Sequence, residues 1–382
     1  MASTTLLNIS PLSSASPTKH LNLLSSSLIT YPHHVHKRGF TILALASSST
    51  PLINVDYLER EFCGHGVTFT GIGDNCVAKM QMSNGSTASV MFPNGLITSY
   101  KAHMWHGGNL EVLHTTVNKG EDDSAHIQGG VSLGLKCGSP DDVPWSPSTW
   151  ALHDVRGSPD ESIEVELISG DSESTVEVKY TVTLQPDQLS SQILISNLKA
   201  SPICLMGSFM SHLTVSTPDA TYAVGLEGSN YFNKLPLESE FSIIPPSFAQ
   251  TESWGQRALQ GLLSKWDRKD HKNTTESKGE VGEQEEMEEE ERDNYKQLTE
   301  KTSRIYTSTP RIFTIIDRGK RNSLVVGREG FDEQYIFSPG SNHEWYGKYA
   351  YVCTGPSAML KPITLNPRGV WRGGQYLHNP NL

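Results

Sequence analysis

Histidine shuttles protons near neutral pH and ligates metals, and two groups of histidines stand out in this 382-residue chain. His33, His34 and His36 crowd one short stretch, while His103 and His106 flank Met104 and Trp105, with His114 beyond. A zinc site needs a third and a fourth ligand in a defined geometry. No cysteine pair or acidic cluster supplies them at a recognisable spacing, so His103, His106 and His114 read as core or surface histidines. Gly225-Leu226-Glu227-Gly228 lacks the lysine and the strand–helix context of a phosphate cradle. No GxSxG nucleophile elbow is present. The cysteines Cys63, Cys76, Cys137, Cys204 and Cys353 are far apart and form no CxxC. They read as reduced, mostly buried thiols, unsuited to an iron–sulfur cluster. No cofactor is implied.

The first 55 residues contain no Asp or Glu, are rich in Ser and Thr, and carry Lys19, Lys37 and Arg38. That composition reads as an organelle transit peptide, here a plastid one over residues 1–47, leaving 48–382 as the mature domain. His33, His34 and His36 would leave with it. The whole chain has a formal net charge of −11, and without its first 55 residues it falls to about −14. An acidic body repels phosphate backbones, which excludes nucleic acid as a partner. No run reaches the ~18 apolar residues of a membrane span.

The elements that must position any site are strands. Val176, Val178, Tyr180, Val182 and Leu184 alternate with polar residues, as do Ile163, Val165 and Leu167. Side chains of period two mark strands with one buried face. Ser169-Gly170-Asp171-Ser172 between the runs supplies turn chemistry, so they predict a hairpin. The same grammar returns over Arg311–Ile316 and Ser323–Val326. Many short strands separated by Gly- and Pro-rich turns predict an all-β fold, a large antiparallel β-sandwich. Residues 265–301 are almost wholly polar and read as an acidic solvated insertion within it. Gln256 to Trp266 has the spacing of a short amphipathic helix that packs on its own domain or docks on a partner.

Several segments, in order, resemble the galactose-mutarotase superfamily, above all its hexose-6-phosphate epimerase branch. Gly95 to Tyr100 is similar to that family's G-A-x-V-T-S-W, and Ile127-Gln128-Gly129-Gly130-Val131 to its I-R-G-G-I/V-P. Leu226-Glu227-Gly228 through Tyr231 to Lys234 resembles G-L-x-G-x-x-Y-x-D-K, and Ile336-Phe337-Ser338-Pro339 resembles V-W-N-P. Tyr351-Val352-Cys353, then Pro362 to Pro367 with Trp371, resemble the closing V-C-V-E and P-x-x-L-x-P-G-x-x-W. The resemblance implies a galactose mutarotase-like supersandwich with a shallow sugar groove.

Mutarotation needs an acid for the ring oxygen and a base for the anomeric hydroxyl. The family takes the acid from H-G-x-A-R and the base from the late Glu. Here Trp150 stands in for that histidine and Thr354 for that glutamate, and Gln128 replaces the arginine of I-R-G-G. His212 is the one family histidine retained. His153, with Asp154 or Glu161 beside it, is the alternative acid if the segments align a few residues apart. Losing acid and base would cost ~10² to 10⁴ in rate for each, so the resemblance implies a non-enzyme with a degenerate site.

The transit peptide, Trp150 to Arg156, the acidic insertion and the ending Gly369 to Gln375 resemble one plant group, the epimerase-like subunits required for NDH-dependent cyclic electron flow. That resemblance implies a structural subunit of the chloroplast NADH dehydrogenase-like (NDH) complex in subcomplex B, peripheral on the stromal side of the thylakoid membrane. Its partners would be the other subunits of that complex and, indirectly, photosystem I, with membrane association only through partner proteins. An active stromal hexose-6-phosphate 1-epimerase and a sugar-binding module without turnover stay open as alternatives. Tryptophan is enriched at interface hot spots, which makes Trp145, Trp150, Trp254, Trp266 and Trp345 candidate anchors, with ordinary core packing as the alternative for each.

Overall fold

An alternating strand buries its apolar face only when a second layer covers it, and here a second sheet does so. The computed structural model describes residues 53–119, 125–138, 144–171, 175–249, 287–341 and 347–380. Val176–Leu184 is a strand whose residues alternate between buried and half-buried along its length. It pairs antiparallel with Ser162–Gly170, placing Ile163 opposite Leu184, so the expected hairpin forms. Ile312–Asp317 and Asn322–Glu329 pair in the same way.

Among the described residues the chain is nearly all-β. The larger sheet has 12 strands, ordered Val67–Ile72, Asn75–Gln81, Thr87–Phe92, Leu96–His103, Val131–Gly138, Ile203–Thr214, Tyr351–Leu365, Glu333–Ser338, Thr302–Tyr306, Asn230–Asn233 and Glu289–Glu290, with Asn109–Glu111 joined to Leu96–His103. The second sheet has 9, ordered Tyr295–Gln297, Thr221–Val224, Ile312–Asp317, Asn322–Glu329, Val370–His378, Gln188–Asn197, Val176–Leu184, Ser162–Gly170 and Ala151–Ser158. A hairpin of Thr115–Lys119 and Ala125–Gly129 belongs to neither sheet. The sheets meet through aromatic rings. Tyr180 of the smaller sheet lies 6.1 Å from Phe209 of the larger, Phe209 lies 6.1 Å from Phe331, and Phe331 lies 5.0 Å from Trp371. Such tilted and edge-on pairs add to the apolar burial of each ring.

For Trp150 the core-packing alternative holds. Trp150 is no exposed anchor: it is 3% exposed and packs 5.5 Å from the ring of Tyr180. Gly95, held at φ +68, lets the indole approach so closely that a Cβ there would stand 2.7 Å from it. Trp145 is half-buried against the same core, its backbone bridged to Cys137. Trp254, Trp266, Trp345, the 256–266 segment and residues 1–47 lie outside the described residues. The most exposed indole among those described is Trp105, at 75%, on the turn after Leu96–His103.

The acidic stretch is also not solvated along its full length. Residues 265–286 lie outside the description, but Glu289–Glu290 extends the larger sheet and Tyr295–Gln297 the smaller. Glu291 is buried because Arg304 donates to its carboxylate at 2.7 Å and the Tyr306 hydroxyl at 3.1 Å. Composition sees a run of like charges. It does not see the cation that a neighbouring strand delivers to one of them.

Candidate functional site

Strands Ile203–Thr214, Tyr351–Leu365 and Glu333–Ser338 lie side by side at the centre of the larger sheet. Period two sends Phe209 and Leu213 towards the inter-sheet core, and Met210 and His212 to the opposite, outer face. The register sets His212 opposite Cys353 and Thr214 opposite Tyr351. Tyr335 and Phe337 join this outer face from the next strand. The chain after Asn233 then folds back across it, and Leu237, Ile243 and Phe248 complete a second hydrophobic cluster. The outer face at His212 is therefore covered by the protein's own chain.

His212 is 2% exposed. Its Nε2 accepts the Ile243 amide at 3.4 Å, which leaves the ring proton on Nδ1. The ring lies 5.3 Å from that of Tyr351, whose hydroxyl donates to the Ile243 carbonyl. His114 stacks on the same Tyr351 at 5.3 Å, and its Nε2 meets the Lys348 carbonyl at 3.0 Å. Burial pushes the pKa of His212 down to about 4, against an upward pull from the Gly130 backbone, and nearby His114 lowers it further. Burial lowers that of His114 too, with the Lys348 hydrogen bond opposing and Lys320 reinforcing. Both rings are neutral near pH 7.

A neutral imidazole can take a proton, yet a sugar must reach it and a partner acid must stand across the ring. The gap beside His212 is about 10 Å³, roughly the space one water needs. It is lined by Met210, Tyr335, Phe337 and Cys353 among others, with no carboxylate. Burial holds the thiol of Cys353 and the phenol of Tyr335 well above their ordinary pKa values, so neither ionises near neutral pH.

The positions named from sequence are not gathered. Thr354 sits opposite Ser211, on the face away from His212, where its hydroxyl donates to the Tyr335 carbonyl at 2.9 Å and accepts from Gln334 at 2.8 Å. A shift of one residue along a strand reverses the face, so Cys353, not Thr354, neighbours the imidazole. Gln128 lies in the separate hairpin and accepts a hydrogen bond from Asn118. Trp150 is in the inter-sheet core. His153 approaches Glu166 at 3.5 Å, but Arg156 and Lys179 share that carboxylate. Asp154 pairs with Arg156 at 3.1 Å, so this is an ion cluster on the smaller sheet and not a pair facing across a groove. Sequence reading missed the Tyr351–Ile243 clasp; no local pattern marks a contact between residues 108 positions apart.

All five cysteines are free, and Cys76, Cys137 and Cys353 are buried. Among the described residues no three His, Cys, Asp or Glu side chains converge as a metal set, and no helix is long and apolar enough to cross a membrane.

Comparison with known proteins gives one relative over nearly the full length. The chain is 42% identical over 370 residues, 94% of it and 93% of the relative, to the Arabidopsis thaliana protein named NDH-dependent cyclic electron flow 5. No family model matches the sequence. A Salmonella typhimurium protein, YeaD, provisionally described as a mutarotase, superposes with a TM-score of 0.57 over 83% of this chain and 94% of its own, at 12% identity. A galactose mutarotase-like protein from Clostridium acetobutylicum superposes with a TM-score of 0.53 over 83% and 98%, at 14% identity. At such identities the likeness shows the fold alone, and that fold is galactose mutarotase-like.

Proposed function

This chain belongs to the family of the Arabidopsis protein NDH-dependent cyclic electron flow 5, and from that premise we propose that it serves NDH-dependent cyclic electron flow as a non-catalytic structural subunit of the chloroplast NDH complex. In this reading it is a member of subcomplex B, peripheral on the stromal side of the thylakoid membrane, and it supports electron flow around photosystem I without carrying electrons itself. It meets the membrane only through partner proteins.

One observation carries the non-catalytic part: His212 lies beneath Ile243, with about 10 Å³ of space beside it. Admitting a pyranose would require lifting Leu237, Ile243 and Phe248 off the sheet, at about 2 kcal/mol for each side chain returned to water. Among the described residues no carboxylate lines that gap. A stable subunit contact needs roughly 1,000 Å² of buried surface or more.

Two measurements test the reading. In native gels of thylakoid membranes the full chain is expected to migrate with a large complex; finding it only as free protein would sink the assignment. Purified full chain is expected to leave the anomers of glucose 6-phosphate equilibrating at the buffer rate. Enzymatic acceleration would overturn the non-catalytic part, and sugar binding without turnover would make the chain a binding module.

A further inference from the structure

The smaller sheet has two dissimilar halves on its outer face. Its inner face is core: Ala223, Phe313 and Ile315 are at most 4% exposed. Period two therefore turns Tyr222 and Ile316 outward, and the register places them opposite each other. Tyr295 lies in the adjoining edge strand opposite Val224, at 57% exposure, and Ile312 is 52% exposed. Aromatic and aliphatic side chains thus interleave with Thr314, Gln297 and Ser323 on one half of the face. At the other end the outward residues include Glu164, Glu166 and Lys179, a charged and partly ion-paired surface.

The apolar half carries a basic turn at one end, near exposed Asp219, which accepts from Ser341. The turn after Ile312–Asp317 reads Arg318-Gly319-Lys320-Arg321, with both arginines exposed. The acid beside it, Asp317, is 5% exposed and already accepts from Ser216, Gly319 and the Lys320 amide. The Arg318 guanidinium lies 4.4 Å over the ring of Tyr222, which ties the cation to the aromatic patch. Asp293 at the edge strand is met by Lys296 at 3.9 Å. In a chain of net charge −11 this turn runs against the average.

We propose that this half-face, centred on Tyr222, Tyr295, Ile312 and Ile316 and bordered at one end by Arg318 and Arg321, docks a partner protein that presents an apolar centre with an acidic rim. The proposal deepens the structural-subunit reading and rests on it. Tyrosine and arginine are the residue types that concentrate binding energy at interfaces, and rim charge selects a partner of opposite sign. A second copy stacked face to face would bring like cations together. A flat sheet face offers no amphipathic helix to sink into a lipid headgroup layer.

The test uses full chain replacing the native copy in chloroplasts, read as the fraction migrating with the large thylakoid complex. Ile312→Asp with Tyr295→Asp, and separately Arg318→Glu with Arg321→Glu, are each expected to lower that fraction about tenfold or more, as loss of hot-spot contacts does. Glu164→Lys, on the polar half, is expected to leave it unchanged. Should the aspartate pair lower the thermal midpoint of purified protein, the charge-reversal pair decides. Wild type and variants migrating alike with the complex would overturn the docking face alone; wild type failing to migrate with it would overturn the structural-subunit reading as well. A purified dimer broken by Ile312→Asp would also overturn the proposal. So would capture of wild type, but not of the charge-reversal pair, by vesicles of phosphatidylglycerol and phosphatidylcholine.

Discussion

Tyr351 and His212 are joined through the backbone of a single residue: the Tyr351 hydroxyl donates to the Ile243 carbonyl while the Ile243 amide donates to Nε2 of His212, with the two rings 5.3 Å apart. The segment that covers the outer face is therefore fastened to two neighbouring central strands at one point. Both groups are buried, so an unmade bond there has no water to replace it.

Removing the phenolic oxygen tests the fastening. Tyr351→Phe keeps the ring packing and leaves the Ile243 carbonyl without its donor. The expected loss is about 1–3 kcal/mol, the usual cost of an unsatisfied buried polar group. Urea unfolding should show a lower midpoint at unchanged slope. An unmoved midpoint would mean that the carbonyl is served by another donor.

Acid should loosen the same place. His212 has its pKa lowered to about 4 in the folded chain by burial, against about 6.5 when unfolded. Between these values the unfolded chain binds the extra proton, so stability rises with pH. The contribution is complete above about pH 6.5 and falls as pH drops towards 4, by roughly 3 kcal/mol at the lower end. His114, lowered in the same direction, steepens the slope. Urea unfolding at pH 7.5 and pH 5 measures the difference, and His212→Gln should flatten it. A slope identical in that variant would place the acid sensitivity elsewhere.

Much of the fold was legible because its signals are local. The alternation over Val176–Leu184 depends only on neighbours in sequence, and the strand and its hairpin stand where that alternation predicts. The site was less legible because it depends on parity and on distant partners. Thr354 was the position of interest by resemblance, but the register turns Cys353 towards His212 and Thr354 away. His114 reads as an isolated histidine until the fold stacks it on Tyr351. Glu291 reads as one acid among many until Arg304 arrives from the adjoining strand. Each miss is a through-space pairing that no periodicity encodes.

The tryptophans separate core from surface in a measurable way. Trp150 is 3% exposed between Tyr180 and Gly95, so Trp150→Ala should cost about 3–5 kcal/mol, the range for emptying a large aromatic site. Trp105 is 75% exposed on its turn, so Trp105→Ala should stay within about 0.5 kcal/mol. Thermal melts of the two variants side by side would read the contrast. Equal losses would contradict the packing described for Trp150.

Glu333 offers the sharpest test of how the central strands are held in register. Strand Ile203–Thr214 loses its pairing with Tyr351–Leu365 between Gly207, opposite Ala358, and Leu205, opposite Ile363. The amides of Met359, Leu360 and Lys361 in that interval find an acceptor in the buried Glu333 carboxylate instead, at 2.8, 3.0 and 2.6 Å. Ser357 adds a fourth bond at 3.1 Å. A carboxylate suits the task because both of its oxygens accept. Glu333→Gln would turn an amide NH₂ towards at least one backbone N–H, setting donor against donor. The expected cost is about 2–3 kcal/mol, since hydrogen bonds to a charged group exceed neutral ones. Hydrogen exchange should localise the effect, with the amides of 359–361 exchanging faster while those of Val176–Leu184 keep their protection relative to global stability. Unchanged exchange at those three amides would show that the bulge is held by something other than this carboxylate.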